Sequence, residues 1–335
     1  MQKAATNSVK VMIDDAIAKK LDLKQISSTV ETTFCIADLG CSVGPNTFTA
    51  MQNIIDVVQQ KYESQDLATH MPEFQVFFND HSSNDFNTLF TSLPPERPYF
   101  ATGVPGSFYG WLFPESCLHF VHSSYALQWL SKVPEELLNK NSLAWNKGRV
   151  HYTSAPDEVV DAYTAQFAKD LTTFLDTRAK ELVVGGLMVL IMSGVPNRIP
   201  RSSGPVEMMF DFLGLSLMDM AKEGLISEAQ VDSFNLPLYF ASPKEITQLV
   251  GRNGCFVIEK MKITCSRSRV DGPISAHALT MHLRAGLEGI ISKHFGLEII
   301  DELFDRFYKK NEAFLILLES KFKEASQLFI ALKRI

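Results

Sequence analysis

The chain has 335 residues, 46% of them hydrophobic and 21% charged, with 38 acidic against 32 basic side chains and a formal net charge of −6. These proportions suit one large α/β domain or a domain with an elaborate insertion, and exclude a disordered or fibrous chain. The acidic balance gives no attraction to phosphate backbones or anionic lipid, and no local basic patch stands out, so no nucleic-acid or membrane partner is expected. Five cysteines (Cys35, Cys41, Cys117, Cys255, Cys265) form no C-x-x-C pair and read as reduced thiols, which places the protein in the cytoplasm. The longest apolar stretch, Leu182 to Met192, is too short to span a bilayer and contains Gly185-Gly186, and no signal-peptide pattern follows Met1-Gln2-Lys3.

Val9, Met12, Ile13, Ala16, Ile17 and Leu21 recur at helical spacing and predict an opening helix with one buried stripe. Phe34 to Ala37 predicts a strand ending in Asp38-Leu39-Gly40, and a helix follows from Pro45 through Met51, Ile54, Ile55 and Val58. Phe74 to Phe78 is the second strand and stops at Asn79-Asp80. A short helix with Phe86, Leu89 and Phe90 comes next, with Ser83 or Asn84 as its cap. Tyr99 to Thr102 and Cys117 to Val121 are the next strands. Val160, Tyr163, Phe167, Leu171, Phe174 and Leu175 trace a helix over Asp157 to Lys180, which Gly185-Gly186 ends before a strand at Leu187 to Ile191. This alternation predicts a parallel sheet covered on both faces, with ligands at the carboxyl ends of its strands.

Beyond Gly194 the alternation breaks. Pro196 to Pro205 reads as a polar loop and Met208 to Ala221 as a helix without a partner strand. Ser242-Pro243-Lys244-Glu245 is a helix start with Ser at the cap, Pro at the first position and Glu at the third. Cys255 to Glu259 returns to strand, His277 to Lys293 and Glu298 to Tyr308 are helical, and Gln327 to Leu332 is a final strand. The expected division is a sheet domain over 1–195, 242–267 and 321–335, with an α-helical cap over 196–241 and 268–320.

Gly40-Cys41-Ser42-Val43-Gly44 lets backbone approach a ligand at the tip of the first strand. It lacks the G-x-G-x-x-G spacing of a dinucleotide fingerprint and the acid about 20 residues on. The next strand-end acid is Asp80, 42 positions after Asp38, which suits a nucleoside held by its ribose hydroxyls. A glycine turn alone serves packing equally well. No Ser-His-Asp set is evident, and His119, His122, His277 and His282 read as structural.

Several blocks make the sequence recognisable: Ile36 to Thr47, Phe78-Asn79-Asp80-His81, Asn84-Asp85-Phe86-Asn87, Gly103 to Tyr109, Ser123 to Ser131 and Asp232 to Pro237. Together they resemble, in family order and over nearly the whole chain, the plant SABATH family of S-adenosylmethionine (SAM)-dependent carboxyl methyltransferases. The blocks around Trp129 and Ala144-Trp145-Asn146-Lys147-Gly148 look most like its iridoid-acid branch. The resemblance implies a Rossmann-like class I methyltransferase sheet with helices on both faces and an α-helical cap. It implies methyl-ester formation on a small plant carboxylic acid (iridoid, terpenoid, aromatic or hormone acid), in a homodimer.

By motif, Asp38, Gly40 and Asn46 line the methionine end of the cofactor, Asp80 takes the ribose hydroxyls, and His81, Ser107 and Phe108 frame the adenine. Tyr125, Gln128 and Trp129 face Met209, Phe210 and Leu283 across the acceptor pocket, with the Trp129 indole N–H holding the substrate carboxylate. No catalytic base is expected, because a carboxylic acid is already ionised at neutral pH. Some relatives bind a structural Mg2+, for which Asn146, Asp232, Asn235 and the carbonyl of Phe234 are the matching oxygen donors. The alternatives are N-methylation of a xanthine-like heterocycle, with Gln128 reading ring polar atoms, and a non-catalytic protein that binds small acids. Members of the family carry a longer N-terminal segment whose Gln also contacts the carboxylate, and the present sequence does not contain it.

Overall fold

The computed structural model describes residues 2–26, 33–197, 204–265, 275–322 and 326–335. Seven strands form one sheet: β1 (Thr33–Leu39), β2 (Glu73–Asp80), β3 (Phe100–Pro105), β4 (Leu118–Ser124), β5 (Leu182–Ser193), β6 (Phe256–Cys265) and β7 (Ser326–Arg334), in the order β3-β2-β1-β4-β5-β7-β6. The first five run parallel. β7 slots between β5 and β6 and runs antiparallel to both, so the sheet is mixed. Strand order reverses between β1 and β4, which opens a crevice at their carboxyl ends.

The helices are α1 (Gln2–Lys20), α2 (Leu23–Ile26), α3 (Pro45–Ser64), α4 (Phe86–Thr91), α5 (Asp157–Glu181), α6 (Pro205–Lys222), α7 (Glu228–Asp232), α8 (Pro243–Asn253), α9 (Ala276–Phe295), α10 (Ile300–Ala313) and α11 (Leu315–Phe322). One core packs α1 and α3 on the sheet through Ile17, Met51, Ile54 and Val58, against Phe34, Val76 and Val189. A second, on the opposite face, packs α5 and α8 through Phe167, Phe174, Leu175 and Ile246 against Val121, Met188, Leu328 and Ile330. Alternation along β7 explains the split: Leu328, Ile330 and Leu332 point into this second core, while Phe329 and Ala331 point into the first. A third core is made by α6, α7, α9, α10 and α11, with Leu213, Leu217, Leu287, Leu303 and Phe307 among its fully or nearly fully buried members.

Two local expectations are corrected. The cap of α4 is Asp85, not Ser83 or Asn84: its carboxylate accepts from Thr88 N (2.9 Å) and Thr88 Oγ1 (2.6 Å), and those bonds hold it below the usual carboxylate range. Gly185-Gly186 does not end α5. The helix stops at Glu181, β5 begins at Leu182, and the glycines lie inside the strand, where the β4–β5 register shifts. Gly185 has φ +85°, and a Cβ there would meet the Gln25 amide at 2.6 Å, so the glycine serves a strand irregularity packed under α2. The capping box at Ser242 and Glu245 forms as expected, with Pro243 at the first position of α8. Most of the expected polar loop, 198–203, lies outside the described residues.

Candidate active site

The carboxyl ends of β1 and β2 are tied together by backbone. Gly40 N and Cys41 N both donate to the carbonyl of Asn79 (2.9 and 3.0 Å), while Asn79 Nδ2 donates to the carbonyls of Val104 (2.8 Å) and Gly106 (3.0 Å) at the end of the next strand. Gly40 has φ +82°, and an added Cβ would sit 2.3 Å from Ala126 Cβ. The first turn therefore presses directly on the segment after β4, which brings the two expected halves of the site side by side.

Asp38 is buried at the end of β1. Its carboxylate accepts from the Thr47 hydroxyl on α3, and His122 Nδ1 on β4 lies 2.7 Å from its other oxygen. His122 is thus structural in the sense that it steadies a site carboxylate, a role its place in the sequence does not signal. Asp80, at the end of β2, accepts from Ser42 N and His81 N, both at 2.7 Å. Each carboxylate oxygen retains a second lone pair for a ligand hydroxyl. Asn46 lies exposed in the first turn of α3, and His81 and Ser107 are also exposed. Phe108 is buried, meeting Phe174 edge-on with centroids 6.1 Å apart and lying under Gly40, so it is a core aromatic and a wall of the crevice at once.

On the acceptor side, Tyr125 has φ +55°, a strained conformation for a non-glycine residue. Its N–H donates to the carbonyl of Ile191 (2.7 Å) and its hydroxyl to Oε1 of the buried Gln327 (2.5 Å). The residue as a whole is 42% exposed, but its hydroxyl end is turned inward, and that burial pushes the phenol up to about 12, so it remains a donor at neutral pH. Gln128 Oε1 accepts from Ser193 N at the end of β5 (3.0 Å), which fixes the amide so that Nε2 points away as a donor. Trp129 is half-buried against the third core and bridges Leu238, while its carbonyl accepts from Tyr109 Oη (2.7 Å). Among the described residues, neither Gln128 Nε2 nor the Trp129 indole N–H has a partner, and neither atom is sealed from solvent.

Met209, Phe210 and Leu283 are all buried in the third core, and Phe210 packs on His151 with centroids 4.5 Å apart. His151 in turn lies 2.9 Å from the carbonyl of Leu238. This histidine joins the Phe210 wall to the strand bridge beneath Trp129, and burial brings its pKa down to about 3, so it stays neutral. On the same helix as Phe210, burial pushes Glu207 up to about 7, with Asp211 adding to the effect. A raised acid contributes stability that is full below its unfolded value and is lost as pH rises through about 7. Glu207→Gln should therefore raise stability by up to about 3 kcal/mol at pH 8 and far less at pH 5, read from urea midpoints at both pH values. An equal gain at both would contradict this assignment.

The residues matched to Mg2+ do not fit it. Asn146 Nδ2 donates to Asn235 Oδ1 (2.7 Å) and to the carbonyl of His151 (3.2 Å), while Gly148 N already occupies Asp232 Oδ1 (2.8 Å). Phe234 is buried in the third core. Asn146 Oδ1 is buried without a partner, but the Asn235 amide oxygen is turned to Asn146 Nδ2, and Asp232, the single carboxylate of the set, has an oxygen turned to Gly148 N, so little negative charge is gathered for a hard divalent cation. No group of three or more His, Cys, Asp or Glu residues is placed to hold a metal among the described residues.

The family model for SAM dependent carboxyl methyltransferases matches residues 1–335. The chain belongs to that family. It is 45% identical to loganic acid O-methyltransferase of Catharanthus roseus, over 99% of this chain and 89% of the relative. It is 40% identical to farnesoic acid carboxyl-O-methyltransferase of Arabidopsis thaliana, over 99% and 93%. A solved structure of loganic acid methyltransferase with S-adenosylhomocysteine (SAH) superposes with a TM-score of 0.94 at 44% identity, covering 98% of this chain and 92% of that one. The carboxyl methyltransferase is thus a SAM-dependent enzyme on a class I methyltransferase fold. The Asp80 carboxylate, with a lone pair left on each oxygen, has the acceptors that a ribose diol would take. No helix among the described residues is long and apolar enough to cross a membrane.

Proposed function

We propose that this carboxyl methyltransferase esterifies a small carboxylic acid of the iridoid or terpenoid kind, held between the tips of β1, β2 and β4 and the helices over 196–241 and 268–320, which serve as a cap. In this reading Asp38, Gly40 and Asn46 meet the methionine end of the cofactor, Asp80 the ribose, and His81, Ser107 and Phe108 the adenine. SAM, when bound, supplies an electrophilic methyl group. Tyr125, Gln128 and Trp129 orient the acid against Met209, Phe210 and Leu283. The protein acts in the cytoplasm as a homodimer.

The observation that carries this reading is the pair of unpartnered donors, Gln128 Nε2 and the Trp129 indole N–H. Two donors suit a carboxylate, which accepts only. Because Ser193 N orients Gln128 Oε1 inward, a heterocycle N–H would have to share the second lone pair of an oxygen already bonded, whereas a carboxylate meets the outward Nε2 directly, which favours a carboxylate over a xanthine-like ring. A carboxylate needs no base, and its reaction with a sulfonium methyl removes two opposite charges, so alignment and exclusion of water are the protein's main contributions. Turnover of labelled SAM with panels of acids and xanthines tests the proposal, and transfer to xanthines alone would overturn it. Trp129→Phe should raise KM for the acid found in that panel about tenfold with kcat little changed, consistent with one lost hydrogen bond of about 1.4 kcal/mol. An unchanged KM would mean that the indole does not hold the carboxylate.

A further inference from the structure

Arg178 and Glu181 close the last turn of α5, and both are fully buried. Arg178 Nη2 lies 2.8 Å from Glu181 Oε2. A buried ion pair contributes little net stability relative to apolar side chains of the same volume, so its other bonds give the better account of its presence. Arg178 Nη1 donates to the carbonyl of Phe108 (2.9 Å) and Nη2 to that of Gly110 (2.8 Å). Glu181 Oε1 accepts from Leu112 N (2.8 Å) and Phe113 N (3.1 Å). The carbonyls of Lys180 and Glu181 accept from Ser116 N (2.8 Å) and Cys117 N (3.0 Å). Six backbone groups of the segment joining β3 to β4 are thus fixed by one helix end.

That segment begins at Gly106-Ser107-Phe108 and contains Gly110, so without anchors it would retain much conformational freedom. We propose that Arg178 and Glu181 are positioning residues for the adenine end of the cofactor site, holding the Ser107-Phe108 backbone beside the Gly40 turn without touching the cofactor. This rests on the reading of Ser107 and Phe108 as the adenine frame. The guanidinium reaches two carbonyls at once because its donors form a rigid fork, and the carboxylate receives two successive amides on one oxygen.

Calorimetry with SAH tests the pair. Glu181→Leu removes the acceptor for Leu112 N and Phe113 N and should weaken SAH binding at least tenfold, whereas Glu181→Gln keeps an amide oxygen there and should stay within threefold of wild type. Leu175→Ala, which opens a cavity under the same helix and removes no bond to the segment, serves as the stability control and should lower the melting point while keeping SAH affinity. Wild-type affinity in folded Glu181→Leu, or equal loss in Leu175→Ala, would overturn the proposal. Should Glu181→Leu fail to fold, hydrogen exchange on wild type decides: SAH should slow exchange at Leu112 and Phe113, and unchanged rates would overturn it. A wild-type chain with no SAH affinity would instead defeat the cofactor-site reading itself, and the role of the pair with it.

Discussion

Asp80→Ala is expected to weaken SAH binding about 100-fold or more while leaving the fold intact. In the structure the Asp80 carboxylate accepts from Ser42 N and His81 N, so it both shapes the turn and offers its remaining lone pairs to a ligand. Each hydrogen bond to a charged group is worth about 1.5–3 kcal/mol, and loss of two to ribose hydroxyls gives a loss of that order. Asp80→Asn should lose less, because one acceptor oxygen remains. Calorimetry on both variants, with melting curves alongside, checks the assignment, and SAH affinity within threefold of wild type in Asp80→Ala would contradict it.

Gly40→Ala should be more damaging than its single methyl suggests. Two effects coincide: φ of +82° disfavours any L side chain by about 1–2 kcal/mol, and the new Cβ would lie 2.3 Å from Ala126 Cβ, a contact with no flexible side chain to yield. The turn and the segment carrying Tyr125 must separate, so both stability and SAH affinity should fall, with destabilisation of about 3 kcal/mol or more. Gly44→Ala is the control, since a Cβ there meets nothing within 4 Å and the backbone is extended. Equal melting points for the two variants would refute the steric account.

Much of this architecture is legible in the residues. The apolar runs at Phe34 and Phe74, and the helical spacing from Val160 to Leu175, give the strands and helix that support the crevice, because periodic burial leaves a periodic pattern. What escapes such a reading is local. Gly185-Gly186 looks like a helix stop but is a strand irregularity, since the packing of α2 on β5 is a long-range contact invisible in a short window. The cap at Asp85 is hidden by its neighbours Ser83 and Asn84, which offer equally good cap chemistry. The motif resemblance supplies the candidate site residues, yet it signals neither the His122 contact to Asp38 nor the Arg178–Glu181 anchor, because their partners lie 70 or more positions away or in backbone atoms.

The third core has a consequence for how such an enzyme changes its diet. Met209, Phe210 and Leu283 belong to a hydrophobic body separate from the two that sandwich the sheet, whereas Asp38, Gly40 and Asp80 sit on the sheet's own rim. If these three side chains line the acceptor chamber as proposed, replacing one of them should reshape it without disturbing the strand ends. On the proposed assignment, the fit to the acid's apolar body falls to the third core while the grip on its carboxylate stays with the segment after β4 beside the cofactor rim, so the first can drift while the second stands still.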